Sequence, residues 1–282
     1  MPHELSHKQW LLSHLIFGLI LSLVLFQWHQ VVGAKNRLTF LDVGQGDAIL
    51  IQSEVGRNIL IDTGPDGKVV EALSKQLPFF NQNIDLFILT HPDLDHYGGA
   101  IDVVKKYPTK AIMLTGVHSG SQLYNAFLEE VEAQNIPILF PTGDQDLQIG
   151  PGLYLDLLYP FESQSLLGLE VKSKNDTSIS LLIKNGVGEN LALLTGDAEE
   201  KQEIELLLSG QDLAAPLFKL GHHGSKTSSG PDFLKAVGAE HFVNSAGKDN
   251  KFGHPHEEVL ARIEGKPLQR TDEDGSIEFV LK

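Results

Sequence analysis

Leu86-Phe-Ile-Leu-Thr-His91-Pro-Asp93-Leu-Asp95-His96-Tyr-Gly98-Gly99 is the stretch that decides how this chain folds. Its apolar opening has the length and composition of a buried strand, and the glycine pair opens a helix expected over Ala100 to Tyr107. Between them, His91, Asp93, Asp95 and His96 can all coordinate a metal. They therefore fall on a tight loop at the carboxyl end of a strand, where sheet proteins build their sites. Taken singly, a loop Asp often caps the next helix and a surface His often has no role. Bunched carboxylates, however, repel one another unless a cation offsets them, and a bound metal accounts for the whole group.

Outward from this loop the same grammar recurs. Arg37 to Ile51 holds two short β-type runs broken by Gly44-Gln45-Gly46-Asp47, and Asn58 to Asp62 is a further strand. Helices are expected over Gly67 to Gln76 and Gln122 to Gln134, with strands at Ile84 to Thr90, Ala111 to Leu114 and Ile136 to Phe140. The second half predicts strands at Leu153 to Leu158, Ser178 to Ile183, Leu191 to Thr195 and Ser276 to Leu281, with helices near Glu199 to Leu208 and Pro231 to Ala236. Alternating strands and helices call for an α/β body with helices covering the outer faces of sheets. No repeat of fixed period is present, which excludes solenoids and propellers.

Three later segments are expected to behave like the first, each an apolar strand ending in a polar residue beside Gly. Leu191 to Asp197 delivers a carboxylate, Pro216 to Lys226 delivers His222 and His223, and Phe252 to His256 delivers His254 and His256. A Gly-Asp pair is as often a plain turn as a site. A His-His-Gly-Ser after a strand is less ordinary, given how often His serves as ligand or acid/base.

With these residues in view, the chain resembles the metallo-β-lactamase superfamily, and within it the hydrolase domain of the ComEC competence proteins. The resemblance runs from about Leu38 to the C-terminus. It rests on Asp42-Val-Gly-Gln-Gly-Asp47-Ala, Ile61-Asp62-Thr-Gly, Thr90-His91-Pro-Asp93-Leu-Asp95-His96-Tyr-Gly-Gly, Asn175-Asp176-Thr-Ser178, Leu194-Thr-Gly-Asp197, Lys219-Leu-Gly-His222-His223-Gly-Ser225-Lys226-Thr-Ser and Gly253-His254-Pro-His256. It implies a four-layer αββα sandwich over residues 35–282, with two divalent metal ions at the edge between its sheets. His91 and Asp93 would then serve one ion, Asp95, His96 and His222 the other, and Asp197 would bridge them. Asp93 stands where the superfamily commonly has His, and Asp176 is the candidate to complete the first shell. Carboxylate in place of imidazole hardens that position, which favours Mn²⁺ or Mg²⁺, with Zn²⁺ admissible at the second. Asp95 and His223 are the expected catalytic groups, and Ser225, Lys226 and His254 the expected substrate contacts. Asp42, Gln45, Asp47 and Asp62 are expected to support these residues or to shape turns.

The segment Met1 to Ala34 differs from the rest. Trp10 to Trp28 contains no Asp, Glu, Lys or Arg. At 1.5 Å per residue this stretch covers roughly 28 Å, close to a bilayer core, with tryptophans suited to both interfaces. An uncleaved anchor is favoured over a cleaved signal peptide because the run exceeds a usual h-region, although Val32-Gly33-Ala34 offers small residues for a peptidase. Either outcome exports the body, as a membrane-anchored extracytoplasmic protein or a secreted one. The absence of cysteine excludes a thiolate ligand or nucleophile. The net charge of −15 lies in the body, since Glu4 and Lys8 cancel between Met1 and Ala34. Such a body is unlike a general nucleic-acid binder, so a polyanionic substrate must be drawn by metal ions and a local basic strip.

The resemblance implies a phosphodiesterase or nuclease outside the cytoplasmic membrane, acting on single-stranded DNA in competence and partnered by a DNA-uptake channel. One membrane-length segment, where ComEC proteins have many, implies a stand-alone hydrolase instead. The acidic charge better suits a small phosphodiester hydrolase acting on cell-wall or lipid phosphoesters. A β-lactamase is disfavoured by Asp93. A metal-stabilised binding module is the non-catalytic alternative.

Overall fold

The structure, a computed structural model, describes residues 6–32, 35–143, 146–162 and 166–282. Gly33 and Ala34 of the expected cleavage site lie outside the described residues. Helix α1 (His7–Val32) contains an apolar span, His7–Phe26, long enough by length and composition to cross a membrane. All of its described side chains are exposed on the chain itself, although a helix apolar on every side is ordinarily buried in a core or a membrane.

Beyond it, short strands and helices follow one another in the order β1 (Arg37–Phe40), β2 (Ile49–Gln52), β3 (Asn58–Ile61), α2 (Lys68–Gln76), β4 (Leu86–Leu89), α3 (Leu94–Tyr97), α4 (Ala100–Lys106), β5 (Ile112–Leu114), α5 (Gln122–Ala133) and β6 (Ile138–Leu139). The second half continues through β7 (Asp146–Gly150), β8 (Leu153–Tyr159), β9 (Ser180–Asn185), β10 (Asn190–Leu194), α6 (Glu200–Leu208), β11 (Leu217–Lys219), α7 (Pro231–Val237), β12 (His241–Asn244), α8 (Glu257–Arg262), β13 (Leu268–Arg270), α9 (Thr271–Asp274) and β14 (Ile277–Val280).

Two seven-stranded sheets result, ordered β14-β1-β2-β3-β4-β5-β6 and β13-β12-β11-β10-β9-β8-β7. In each, one half pairs antiparallel and the other parallel. The alternation of β4 shows how the layers arise: Leu86 and Ile88 enter the core between the sheets, while Phe87 and Leu89 enter the core beneath α2, α4 and α5. Burial on both faces explains why this strand reads as an unbroken apolar run. A third core, holding Phe218, Phe233 and Val259, seals α6, α7 and α8 onto the second sheet. The expected four-layer αββα sandwich is thus the observed fold.

The expected strand before His254 is not present. Residues 245–256 are turns and irregular chain, and α8 follows directly at Glu257. Gly253 takes φ 73° and Asn250 brackets His254, accepting from its N–H at 2.9 Å and donating to its carbonyl at 2.7 Å. A loop closed on itself by one Asn side chain has no partner strand to seek.

Candidate metal centre

The carboxyl ends of the parallel strands in both sheets meet at one place. β4 ends in Thr90-His91, β10 in Thr195-Gly196-Asp197, and β11 in a one-turn 3₁₀ segment, Gly221–Gly224. His222 and His223 both take left-handed backbone, at φ 45° and 55°. Gly46 packs behind the metal-loop candidate: at φ +128° any Cβ there would lie 2.1 Å from the Asp95 carbonyl oxygen. The Gly44-Gln45-Gly46 turn is therefore a buttress, and the Asp47 N–H donates to that same oxygen at 3.2 Å.

Asp95, His96, Asp197 and His223 bring one ligand atom each within 4.8 Å of one another. Asp197 Oδ2 lies 3.2 Å from His96 Nε2, 3.3 Å from His223 Nε2 and 4.0 Å from His91 Nε2. Asp95 Oδ2 lies 3.5 Å from His223 Nε2. These three imidazoles turn the other ring nitrogen to protein. His96 Nδ1 donates to Asp62 at 2.7 Å, His223 Nδ1 to the Ser245 carbonyl at 2.9 Å, and His91 Nδ1 lies 3.1 Å from the Thr90 hydroxyl. Asp62 is itself fixed by the Thr90 N–H at 2.8 Å and hydroxyl at 2.7 Å. All three Nε2 atoms, with Asp197 Oδ1, are buried without a hydrogen-bond partner. Buried polar atoms of native proteins are normally satisfied. Converging Nε2 atoms, each with Nδ1 occupied, are what a cation requires, so the donor set fits divalent metal.

Electrostatics agree. Burial is the main force holding His91 down to about 3, which leaves it neutral. Burial opposes charge on His96 and His223 as well, but Asp197 overrides it, with Asp62 for the former and Asp47 for the latter, and both stand well above the usual imidazole value. Burial pushes Asp197 up, yet His223 and His96 take it well below the usual carboxylate range. A cation would therefore replace protons that these carboxylates now attract.

The expected residues do not all arrive where expected. His223 joins the buried cluster, whereas His222 is partly exposed, 3.8 Å from Asp197 and 3.0 Å from Glu199 through Nδ1. In a left-handed turn neighbouring side chains diverge, and only the second meets the Ser245 carbonyl. Asp176 does not reach the cluster; it faces Lys201 at 3.4 Å, and Tyr159 donates to its carbonyl. Asp93 lies 3.7 Å from His91 Nε2 but is also held by Lys174 at 3.0 Å. His254 stands at the rim, its ring 5.5 Å from His222 and 6.3 Å from His223, and burial lowers it to about 4. Ser225 contacts Thr227 at 2.9 Å, and the exposed Lys226 gives its N–H to His256 Nδ1 at 3.1 Å. Asp42 is exposed and caps Gly44, while Gln45 accepts from the Gly247 N–H.

Two supports had no assigned role. Lys219 is fully buried, 2.6 Å from Asp47, whose other oxygen lies 3.4 Å from His223 Nδ1. Burial would raise Asp47, but Lys219 first and His223 next bring it down to about 2. A lysine inside Leu217-Phe218-Lys219-Leu220 was the available signal, since buried lysine is rare unless paired. Glu203 accepts the Ser229 and Gly230 N–H groups at 2.5 and 2.9 Å, pinning the loop after the histidines, and burial lifts it to about 7.

The fold and this seam of histidines and carboxylates define a member of the metallo-beta-lactamase superfamily, whose family model matches residues 41–247; the chain belongs to it. Among known proteins it is 32% identical over 261 residues to Recombination protein 2 of Haemophilus influenzae, covering 88% of this chain and 29% of that protein. It is 30% identical over 288 residues to Competence protein ComA of Neisseria gonorrhoeae, covering 100% of this chain and 37% of the relative. The chain thus spans about a third of the length of these curated relatives. Among solved structures, the metallo-beta-lactamase fold protein YhfI of Bacillus subtilis matches with a TM-score of 0.56 at 16% identity, over 87% of this chain and 100% of its own.

Proposed function

We propose that this chain is a metal-dependent phosphodiesterase of nuclease type, held outside the cytoplasmic membrane by the segment Met1 to Ala34 and active through the body of residues 35–282. The observation that carries this is the set of buried, unpartnered His91, His96 and His223 Nε2 atoms around Asp197. Asp95, His96, His223 and Asp197 would hold one divalent ion; His91, Asp93 and Asp197 would hold another. Such ions supply an activated water and neutralise charge on phosphoryl oxygens. Asp95 orients the attacking water, and Asp62 and the Ser245 carbonyl keep His96 and His223 presenting Nε2. His222, Ser225, Lys226 and His254 line the open side, where Lys226 meets a phosphate oxygen and the neutral His254 offers a hydrogen bond. Carboxylate at Asp93 favours Mn²⁺ or Mg²⁺ there, and the imidazole-rich position suits Zn²⁺ or Mn²⁺.

Single-stranded DNA is the proposed substrate, supported by the likeness to proteins named for competence and recombination. A channel for DNA uptake is the proposed partner. The net charge of −15 favours a second reading, a hydrolase of small cell-wall or lipid phosphodiesters. Turnover of bis-p-nitrophenyl phosphate and of a single-stranded oligonucleotide by the chelated full chain, with Mn²⁺, Zn²⁺ or Mg²⁺ restored, tests both. Metal-restored cleavage lost in Asp197→Ala is expected, and the preferred substrate chooses between the readings. Folded protein that cleaves neither with any metal sinks them both.

A further inference from the structure

The end of the body farthest from the metal centre carries a set of exposed apolar side chains that serves nothing in the chemistry. Phe79 is 94% exposed, Val187 81%, Val55 53%, Phe80 47% and Val280 41%. The register places them together. β3 runs toward the centre and β2 away from it, so the turn after Gln52, which carries Val55, lies at the opposite end. Asn81 donates to the Gly56 carbonyl, which brings Phe79 and Phe80 beside that turn. A Cβ on Gly150 would lie 2.9 Å from Ser53, and one on Gly186 2.8 Å from Gly152, so the turn bearing Val187 joins the same face. Val280 sits opposite Arg37 at the outer end of β1.

Helix α1 is joined to the body at this same end. The Leu281 N–H donates to the Asn36 carbonyl, and Asn36 Oδ1 accepts from Glu54 beside Val55. From Val32 to Lys35 the chain reaches at most about 11 Å. No long linker can carry the body away from wherever the helix is embedded. Leu94 and Phe252 are exposed at the other end, where Leu94 sits between Asp93 and Asp95 and Phe252 stacks on His254.

We propose that this face, with Val55, Phe79, Phe80, Val187 and Val280 at its contact points, lies on the bilayer surface and turns the metal centre outward. This rests on the reading of α1 as a retained anchor. Apolar side chains lodge in the headgroup region, while Lys35, Arg57 and Lys282 at the same end offset Glu54 and Glu189 beside Val55 and Val187 and leave the face near neutral toward the headgroups. The strands between the two ends are short, about 13 Å for four residues, so this orientation decides which end substrate can reach.

The chain has no cysteine, so single-cysteine variants take a fluorophore at one place only. Ile20→Cys, Phe79→Cys, Val187→Cys and Lys251→Cys, each in the full chain labelled with an environment-sensitive dye, are reconstituted into phosphatidylcholine/phosphatidylglycerol vesicles containing doxyl-labelled lipid. Dyes at 20, 79 and 187 are expected to shift to the blue and lose most of their emission, while the dye at 251 keeps its own. Quenching at 20 without quenching at 79 and 187 overturns the proposal and leaves the anchor intact, as does equal quenching at 79, 187 and 251. No quenching at 20 removes the anchor and the proposal with it. As a second variant, Phe79→Ser with Phe80→Ser is expected to restore emission at 187, and unchanged quenching there counts against these aromatics as contacts.

Discussion

The two halves of the candidate centre are built to different standards. Around Asp95, His96, Asp197 and His223 each imidazole is gripped from behind, by Asp62, Ser245 and the Asp47–Lys219 pair, and three of the four residues are buried. Around His91 and Asp93 the grip loosens. Asp93 is about a third exposed, is shared with Lys174, and has no counterpart from Asp176. One half is preorganised and the other adjustable, so a first ion should bind tightly and a second should depend on concentration and on substrate.

The harshest way to break the comparison is Asp197→Ala, which removes the carboxylate common to both halves. Turnover is expected to fall roughly a thousandfold or more, matching loss of several kcal/mol of charge stabilisation. A steady-state assay that finds less than tenfold loss would remove Asp197 from the chemistry. Next is Lys219→Met, which strands Asp47 without its buried partner. It should cost about 3–5 kcal/mol, seen as a lower midpoint in thermal melting, and most of that should return when Asp47→Asn is added.

Acid sharpens the same pair. Asp47 stands at about 2, below its ordinary 3.8, so its contribution is full above 3.8 and lost as pH falls toward 2. The Asp47→Asn, Lys219→Met double variant should therefore lose less stability than wild type between those values, and parallel melting curves across that range would refute it. Asp62→Asn should weaken metal binding at the braced half by roughly 10–100-fold in titration calorimetry while leaving the looser half largely unchanged. The mildest change, Lys174→Ala, frees Asp93 and should improve binding of the second ion by a few-fold at most. A loss of affinity there would mean that Lys174 positions Asp93 rather than competing for it.

The asymmetry also governs what could be read in advance. The His91–His96 loop was legible because four donors sit in one short stretch after an unmistakable strand. Asp197 was only half legible, since a Gly-Asp pair closing an apolar run is as often a plain turn, and its bridging place was implied by the resemblance alone. Which of His222 and His223 lies deeper was not legible, because adjacent residues differ only in where a left-handed turn sends them. Asp176 was a candidate through its position in a motif, and its surroundings hold Lys201 at ion-pair distance, which no local pattern announces. Strands β7, β12 and β13 were missed because each is short and ordinary in composition, and pairing with a neighbour, not local pattern, makes them strands. Lys219 was visible as an oddity in an apolar run, but its partner lies across the seam in the other sheet, beyond any local signal.

The pairing of β1 with β14 sets the order in which this protein can be finished. The first sheet is completed only by residues 277–280, some 240 positions further along, and they settle against the strand that directly follows α1. The metal loop leaves the ribosome early, with its sheet still open and its partners Asp197 and His223 not yet made. Losing residues 277–280 would therefore reopen the edge of the sheet that carries the loop, long after the loop itself has been made.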